Sequence, residues 1–421
     1  ENVLIFSAII GLCGNLNNVA NFKEYLYDLI IGNDVNTDYK LDLKSFVPRK
    51  LIAKLHDLGN IFEYVYIFNT GKWMKWIEIR EQLTIVETMK FNDIIIPTPT
   101  TIKIDYLINQ VIPSKKHLLI TGSTGTGKTL TVVNTLSKGF ENDRFTFMKI
   151  CLTAQTSANQ IQSIIESKLQ KGYRKFTPTN SRKGVIFIDD LNMPMKEKFG
   201  AQPPIELLRQ WMDYGGWYEL YSETKDFYNI NEVSFITSMG SISSGRTITS
   251  RYLRHFIVMY MENYKQQVME NIYSNIMQWY VLKNKQPAIS DKIIGIKDSI
   301  IKSTIQLFTS VNSTFKATPA KCHYTFNLRD MTKIFQGITR TNGWGIRDDN
   351  EMIKLWIHEC ERVFKDRLTD EHDRSTYDQL ISNVMKNTIK RSYESYTKNN
   401  IILFGNFVDM IYRDNNKSLP P

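Results

Sequence analysis

The stretch "GSTGTGKT", Gly122–Thr129, constrains this chain more than any other. It fits the spacing G-x-x-x-x-G-K-[ST] and stands between a buried-strand run, "KHLLITG", and a helix-forming run, "TLTVVNTLSKGF". Gly122, Gly125 and Gly127 let the backbone curl so that successive N–H groups can face phosphate oxygens. The helix start adds a favourable dipole for an anion. Ser123, Thr124 and Thr126 fill the loop between the glycines. Lys128 brings a point charge to the β- and γ-phosphates, and the Thr129 hydroxyl suits Mg²⁺. The competing reading is a chance glycine loop, and the strand-before, helix-after context argues against it.

A second stretch meets the requirement that such a loop creates. "GVIFIDD" runs through four apolar residues into Asp189 and Asp190. Many strands end in Asp at a turn. Beside a phosphate cradle, Asp189 takes the Mg²⁺-positioning role, and Asp190 faces the attacking water as base or orienting group.

Around these motifs the chain alternates strand and helix. "FTFMKICLTA", "EVSFITSMG" and "FIVMYM" read as further strands, and "SANQIQSIIESKLQKG" and "PPIELLRQWMDYG" as helices. The first of these helices opens on Ser, the second on prolines with Gly at its end. Continuously apolar strands alternating with helices predict an α/β unit with a parallel sheet covered by helices. From Tyr264 onward helical periodicity dominates, which predicts an all-helical unit. Before Ile94 the chain predicts helices at Val3–Cys13 and Asn21–Ile31, and a hairpin around Asn69-Thr70-Gly71. This preceding part is a mixed α/β extension, in which Trp73 and Trp76 read as packing residues. The expected organisation is 1–90, 91–262 and 263–421.

Bulk properties narrow the function classes. Aromatic residues make up 12% of the chain, too many for a disordered one. The net charge of +10 is compatible with an acidic partner, but no block of like charges concentrates it, so nucleic acid is not expected. Cys13, Cys151, Cys322 and Cys360 lie far apart without a CxxC pair, which reads as reduced thiols rather than zinc ligands. His56, His117, His358 and His372 lack metal-ligand spacing. No apolar run reaches membrane-spanning length and no leader peptide is recognisable, so no membrane partner is expected. The chain opens at Glu1 inside an apolar run, as a piece of a longer protein would.

"IFIDDLNMPMKEKFGAQPPIELLRQWMDYGGWY", preceded by "GSTGTGKT" and followed by "YTFNLRDM", closely resembles the third AAA+ module of dynein heavy chains, most of all the axonemal, inner-arm type. The resemblance covers nearly the whole chain. "FSAIIGLCGNL" and "GKWMKWIEI" look like the extension between the second and third modules, and "FGNFVDMIY" like the stretch before the fourth.

The resemblance implies a set of roles. Gly122, Gly125, Gly127, Lys128 and Thr129 match the Walker A loop, and Asp189 and Asp190 match Walker B. "IIIPTPTTIKIDYLI" would be a lead-in strand and helix meeting the adenine, through Pro97 and Thr98. Arg329 in "NLRD" matches sensor II, the bland alternative being a surface arginine. Arg251 or Arg254 in "SRYLRHF" would be an arginine finger serving the preceding module, with a structural salt bridge as the competing reading. Two departures argue for slow chemistry. Asp190 stands where Glu is usual, and no Asn stands among Thr237 to Gly240 at sensor I. The implied cofactors are ATP or ADP with Mg²⁺. The implied partners are the other AAA+ modules of the heavy chain, microtubules through other parts of the motor, and intermediate and light chains indirectly. The implied location is the cytoplasm and cytoskeleton, in the ciliary axoneme. The function implied is a regulatory ATPase module of a minus-end-directed motor, with a non-hydrolysing structural nucleotide holder as the alternative.

Overall fold

The computed structural model describes residues 63–67, 70–79, 85–139, 144–221, 223–240, 247–284, 291–341, 346, 348–397, 402 and 404–405. The helices expected at Val3–Cys13 and Asn21–Ile31, together with Cys13, His56 and most of "FGNFVDMIY", lie outside these residues. The described residues divide into two compact units, one of 63–79 and 97–263, the other of 85–96 and 264–405.

The first unit opens with strands β1 (Tyr64–Ile67) and β2 (Lys72–Lys75), paired antiparallel with Ile67 opposite Lys72. Gly71, at φ 66°, takes the left-handed position of the connecting turn and donates its N–H to Ile67 O at 2.8 Å. Trp76 is 2% exposed and meets Tyr106 edge-on, with ring centroids 5.5 Å apart. Tyr106 belongs to helix α1 (Pro99–Val111), so the two tryptophans expected to pack do so, Trp73 against Tyr66.

A five-stranded sheet follows, built from β3 (His117–Gly122), β4 (Phe145–Cys151), β7 (Lys183–Asp189), β10 (Val233–Met239) and β11 (Phe256–Met261). Its order is β11-β3-β10-β7-β4, and every pairing is parallel. The expected α/β fold with a helix-covered parallel sheet is therefore present. Leu119, Ile186, Ile188 and Phe235 share one buried cluster with α3 (Ala158–Glu166) and α4 (Pro203–Tyr214). Their strand neighbours Leu118, Val185, Phe187 and Ile236 are equally buried but lie outside that cluster, as pleat alternation requires. Helices α1 and α2 (Lys128–Asn134) pack along β3.

The helix ends match their residues. Ser157 caps α3 by accepting from the Gln160 N–H at 3.2 Å, while Gln160 accepts from the Ser157 N–H at 2.9 Å. Pro203 begins α4, and Gly215 ends it at φ 80°.

Two expectations are corrected. The tail of "SANQIQSIIESKLQKG" is not helical. Leu169–Gly172 forms β5, paired with β6 (Lys175–Pro178) across a turn in which Arg174 has φ 49°. Leu169 still falls at helical spacing from Ile165, but a second sheet claims the segment. That sheet runs β5-β6-β9-β8, with β8 at Gly216–Tyr218 and β9 at Phe227–Ile230. The lead-in "strand" before α1 is also absent. Residues 94–98 are extended but unpaired, because Pro97 and Pro99 bring no N–H to a ladder.

The second unit is helical, as the periodicity predicts. It contains α6 (Gln266–Lys283), α7 (Asp291–Thr314), α8 (Leu328–Arg340), α9 (Asp349–Val363), α10 (Glu371–Val384) and the short α11 (Glu394–Thr397). A four-residue helix, α5 (Ser250–Leu253), belongs to the first unit. Tyr273 and Phe335 stack at 4.3 Å in the helical core, and Trp356 donates to Thr304 Oγ1 at 2.8 Å. Ile85, Met89, Phe91, Ile94 and Ile96 pack on this helical core as well. The run "STYDQLISNVMKNTIKRSYESY" does not stay one helix, because Lys390 at φ 59° turns the chain out of it.

Candidate functional site

The site is assembled where β3, β7 and β10 end side by side. Gly122 closes β3 against β11, and a Cβ there would lie 2.5 Å from Met261 O. Only glycine lets the chain leave the sheet at that point. Gly125 at φ 84° and Gly127 at φ 87° then take left-handed conformations that side chains disfavour. Gly127 is the residue from which α2 starts. Thr126 is buried and braces the loop by donating to Ser123 O at 3.0 Å. Thr131 ties the first helical turn to Gly127 O at 2.9 Å. Lys128 lies over the loop, its Nζ 2.9 Å from Gly122 O and 2.6 Å from Ser123 O. Thr124 is exposed at the loop's outer edge.

Asp189 is the last residue of β7 and is 8% exposed. The Thr129 hydroxyl lies 3.1 and 2.9 Å from its two carboxylate oxygens. The two residues expected to share Mg²⁺ are thus brought together, although 60 positions separate them. A hydroxyl beside a carboxylate is a hard oxygen set of the kind Mg²⁺ takes. Together with the glycine-only turn and Lys128, the residues present fit a metal–nucleotide.

Asp190 is exposed and has φ 53°. Its carbonyl accepts from the Met193 N–H at 2.9 Å, and the Leu191 N–H donates to Ser238 O at 2.9 Å. The second acid therefore sits on a fixed turn rather than in the strand.

Sequence reasoning missed two residues around Asp189. Ser238, 1% exposed on β10, donates its hydroxyl to Asp189 Oδ1. Lys149 on β4 places Nζ 4.0 Å from Asp189 Oδ2. Strand order could not be read from the sequence, so neither neighbour was visible. Cys151, opposite Asp189 in the ladder, has its thiol pushed up by burial and then by the charges of Asp189 and Asp190.

The two finger candidates part company. Arg254 pairs with Asp213 Oδ1 at 2.5 Å, while Arg209 holds Asp213 Oδ2 at 2.6 Å and His255 shares Oδ1 at 2.8 Å. Bonds from Arg254 and Arg209 hold the Asp213 carboxyl below the usual carboxylate range despite its partial burial. Arg251 is exposed and makes no ion pair among the described residues.

Thr98, 2% exposed, is a helix cap: it accepts from the Thr101 N–H at 3.2 Å, and Thr101 Oγ1 accepts from the Thr98 N–H at 2.8 Å. Pro97 precedes it, half-buried.

Arg329, in the helical unit, is exposed in the first turn of α8, its N–H donating to the capping Asn327 at 2.9 Å. The next residue, Asp330, is 3% exposed and paired with Arg367 at 2.7 Å. Burial alone would raise the Asp330 carboxyl; Arg367 and the Asn327 N–H outweigh it and hold it below the usual range. Asn327, Asp330 and Arg367 fix the start of the helix that carries Arg329, and none of the three was singled out from the sequence.

His117 is half-buried in the sheet. It lies between Phe235 and Phe256, and its Nδ1 accepts from the Phe235 N–H at 3.0 Å. His358 lies against Phe404, its Nδ1 3.3 Å from Ile402 O, and His372 is exposed at the start of α10.

Comparison with known proteins gives these residues a family. Residues 83–264 match the family described as the P-loop containing dynein motor region, and residues 300–395 match the AAA+ lid domain. The chain is 38% identical to human dynein axonemal heavy chain 1 over 75% of its length, and 37% identical to mouse dynein axonemal heavy chain 12 over 88%. Mouse dynein axonemal heavy chain 3 is 32% identical over 94%. The chain spans only 8%, 13% and 10% of these three relatives. With the phosphate loop and both acids inside the first matched region and the α8–α10 helices inside the second, the chain belongs to the AAA+ modules of the axonemal dynein heavy chain family.

Proposed function

We propose that this chain is the third AAA+ module of an axonemal, inner-arm type dynein heavy chain, and that it binds ATP with Mg²⁺ as a regulatory, slowly hydrolysing site. The observation that carries the reading is the Thr129–Asp189 pair beneath a glycine-only loop with Lys128 over it. Bound Mg²⁺ would offset phosphate charge. Thr129 and Asp189 would hold it, and Lys128 would exchange its loop carbonyls for phosphate oxygens. Asp190 would orient water from its turn. In this reading 1–90 is the inter-module extension, 91–262 the α/β part and 263–421 the lid and the path to the fourth module. Pro97 and Thr98 would border the base, with Thr98 acting through its backbone, since its hydroxyl already caps α1. Arg329 would act as sensor II. Arg251 is the better finger candidate, because Arg254 is committed to Asp213. Neighbouring modules, microtubules reached through other parts of the motor, intermediate and light chains, and an axonemal location belong to the same proposal.

A second reading has its own support. A structural module that retains ATP or ADP without turnover fits the exposed, left-handed Asp190 and the lack of Asn among Thr237 to Gly240. Phosphate release from this site within an assembled ring separates the two readings.

Lys128→Ala tests nucleotide binding itself. Removing one charge-assisted contact is expected to weaken ATP binding about tenfold or more. Calorimetry showing equal affinity in the variant would exclude a phosphate-loop role.

A further inference from the structure

Asp189 is nearly closed to water, so its carboxylate depends on donors from the protein. Thr129 is one and belongs to the loop motif. The other, Ser238, lies within the Thr237 to Gly240 stretch, where sequence reasoning assigned its hydroxyl no role. It sits on β10, where the pairing of Thr237 with Ile188 makes it the cross-strand neighbour of Asp189. Its hydroxyl donates to Asp189 Oδ1, and its carbonyl accepts from the Leu191 N–H at 2.9 Å. One residue thus grips the first acid by its side chain and the turn carrying the second acid by its backbone. Burial alone does not explain the hydroxyl bond. The adjacent Thr237 is fully buried, and its hydroxyl has no partner among the described residues. The strand tolerates an unpaired hydroxyl one position away.

A carboxylate turns readily about its last torsion, so either oxygen of Asp189 could face Thr129. A donor fixed on Oδ1 removes that freedom. We infer that Ser238 is a positioning residue that locks the Asp189 carboxylate for the cation and anchors the Asp190 turn. This rests on the ATP–Mg²⁺ reading above.

The test measures binding rather than turnover. A fluorescent ATP analogue is titrated onto the 421-residue chain in excess Mg²⁺ and again in EDTA. For Ser238→Ala, the affinity gain due to Mg²⁺ is expected to shrink about tenfold or more, the scale of one hydrogen bond to a charged group. The affinity in EDTA should stay within about twofold. Ser238→Thr, which keeps the hydroxyl, should restore the gain. A merely structural role would lower both affinities and the melting temperature together, and that result overturns the inference. So does a full Mg²⁺ gain in Ser238→Ala. If the alanine variant does not fold, Ser238→Cys keeps the volume with a weaker donor, and a full gain there overturns the inference equally. A parent chain that gains nothing from Mg²⁺ overturns the ATP–Mg²⁺ reading and this inference with it. A parent gain untouched by Ser238→Ala overturns the inference alone.

Discussion

Asp190 shows how a single backbone angle can decide a side chain. At φ 53° the left-handed region favours Asp and Asn over longer residues, because a short polar side chain can bond locally. The sequence suggested a shortened version of the usual Glu. The geometry adds a reason for the shortening, since the turn is held by Leu191 on Ser238 and Met193 on Asp190. Asp190→Glu is therefore expected to lower stability by about 1 kcal/mol or less, and Asp190→Asn to leave it nearly unchanged. Denaturant melts of the three chains check the order. If Glu proves as stable as Asp, the backbone does not select the residue, and reach toward the nucleotide is the remaining explanation.

Strand β3 carries its own pH dependence. Burial, then the nearby charges of His255 and Lys116, lowers the His117 imidazole from 6.5 to about 4. Above pH 6.5 it is neutral in both folded and unfolded chains, and its full contribution is present. Between pH 6.5 and 4 the unfolded chain takes up a proton that the folded chain refuses, so stability falls with pH, by at most about 3 kcal/mol. His117→Asn keeps an acceptor for the Phe235 N–H, and its stability should fall less steeply over that interval. A parallel slope in the two chains would show that other groups dominate. Asp213 and Asp330 act lower, below the usual carboxylate range, where protonation would release Arg254 and Arg367. Of the elements, the sheet strands and lid helices were legible, because each carries its period in contiguous residues. The β5-β6-β9-β8 sheet was not, because four short strands from two insertions pair only in space. Thr129 and Asp189 were legible through their motifs. Ser238 and Lys149 were not, since they reach Asp189 through strand neighbours that only the sheet order supplies.

At the scale of the whole molecule, the proposed function would make the chain one side of a catalytic arrangement. The phosphate loop, both acids and, in that reading, Arg329 would be its own. In the proposed ring, the finger completing this site would come from the next module, and Arg251 would complete the preceding one. An arginine finger is worth about 10³–10⁵ in rate, because it meets charge that develops only in the transition state. Ground-state binding needs it far less. The isolated chain, confirmed as monomer, is expected to bind ATP with Mg²⁺ and to turn over well below about 1 s⁻¹. Turnover at or above that rate in the monomer would remove the need for a finger in trans.

The contact between Gly122 and the carbonyl of Met261 has a mechanical meaning. Met261 ends β11, and two residues later the first compact unit ends at Asn263. The first residue of the phosphate loop therefore leans on the last rung of the strand by which the chain departs. Any side chain at position 122 would force the two strand ends apart, so the start of the loop and the end of β11 keep their spacing only while that position stays bare.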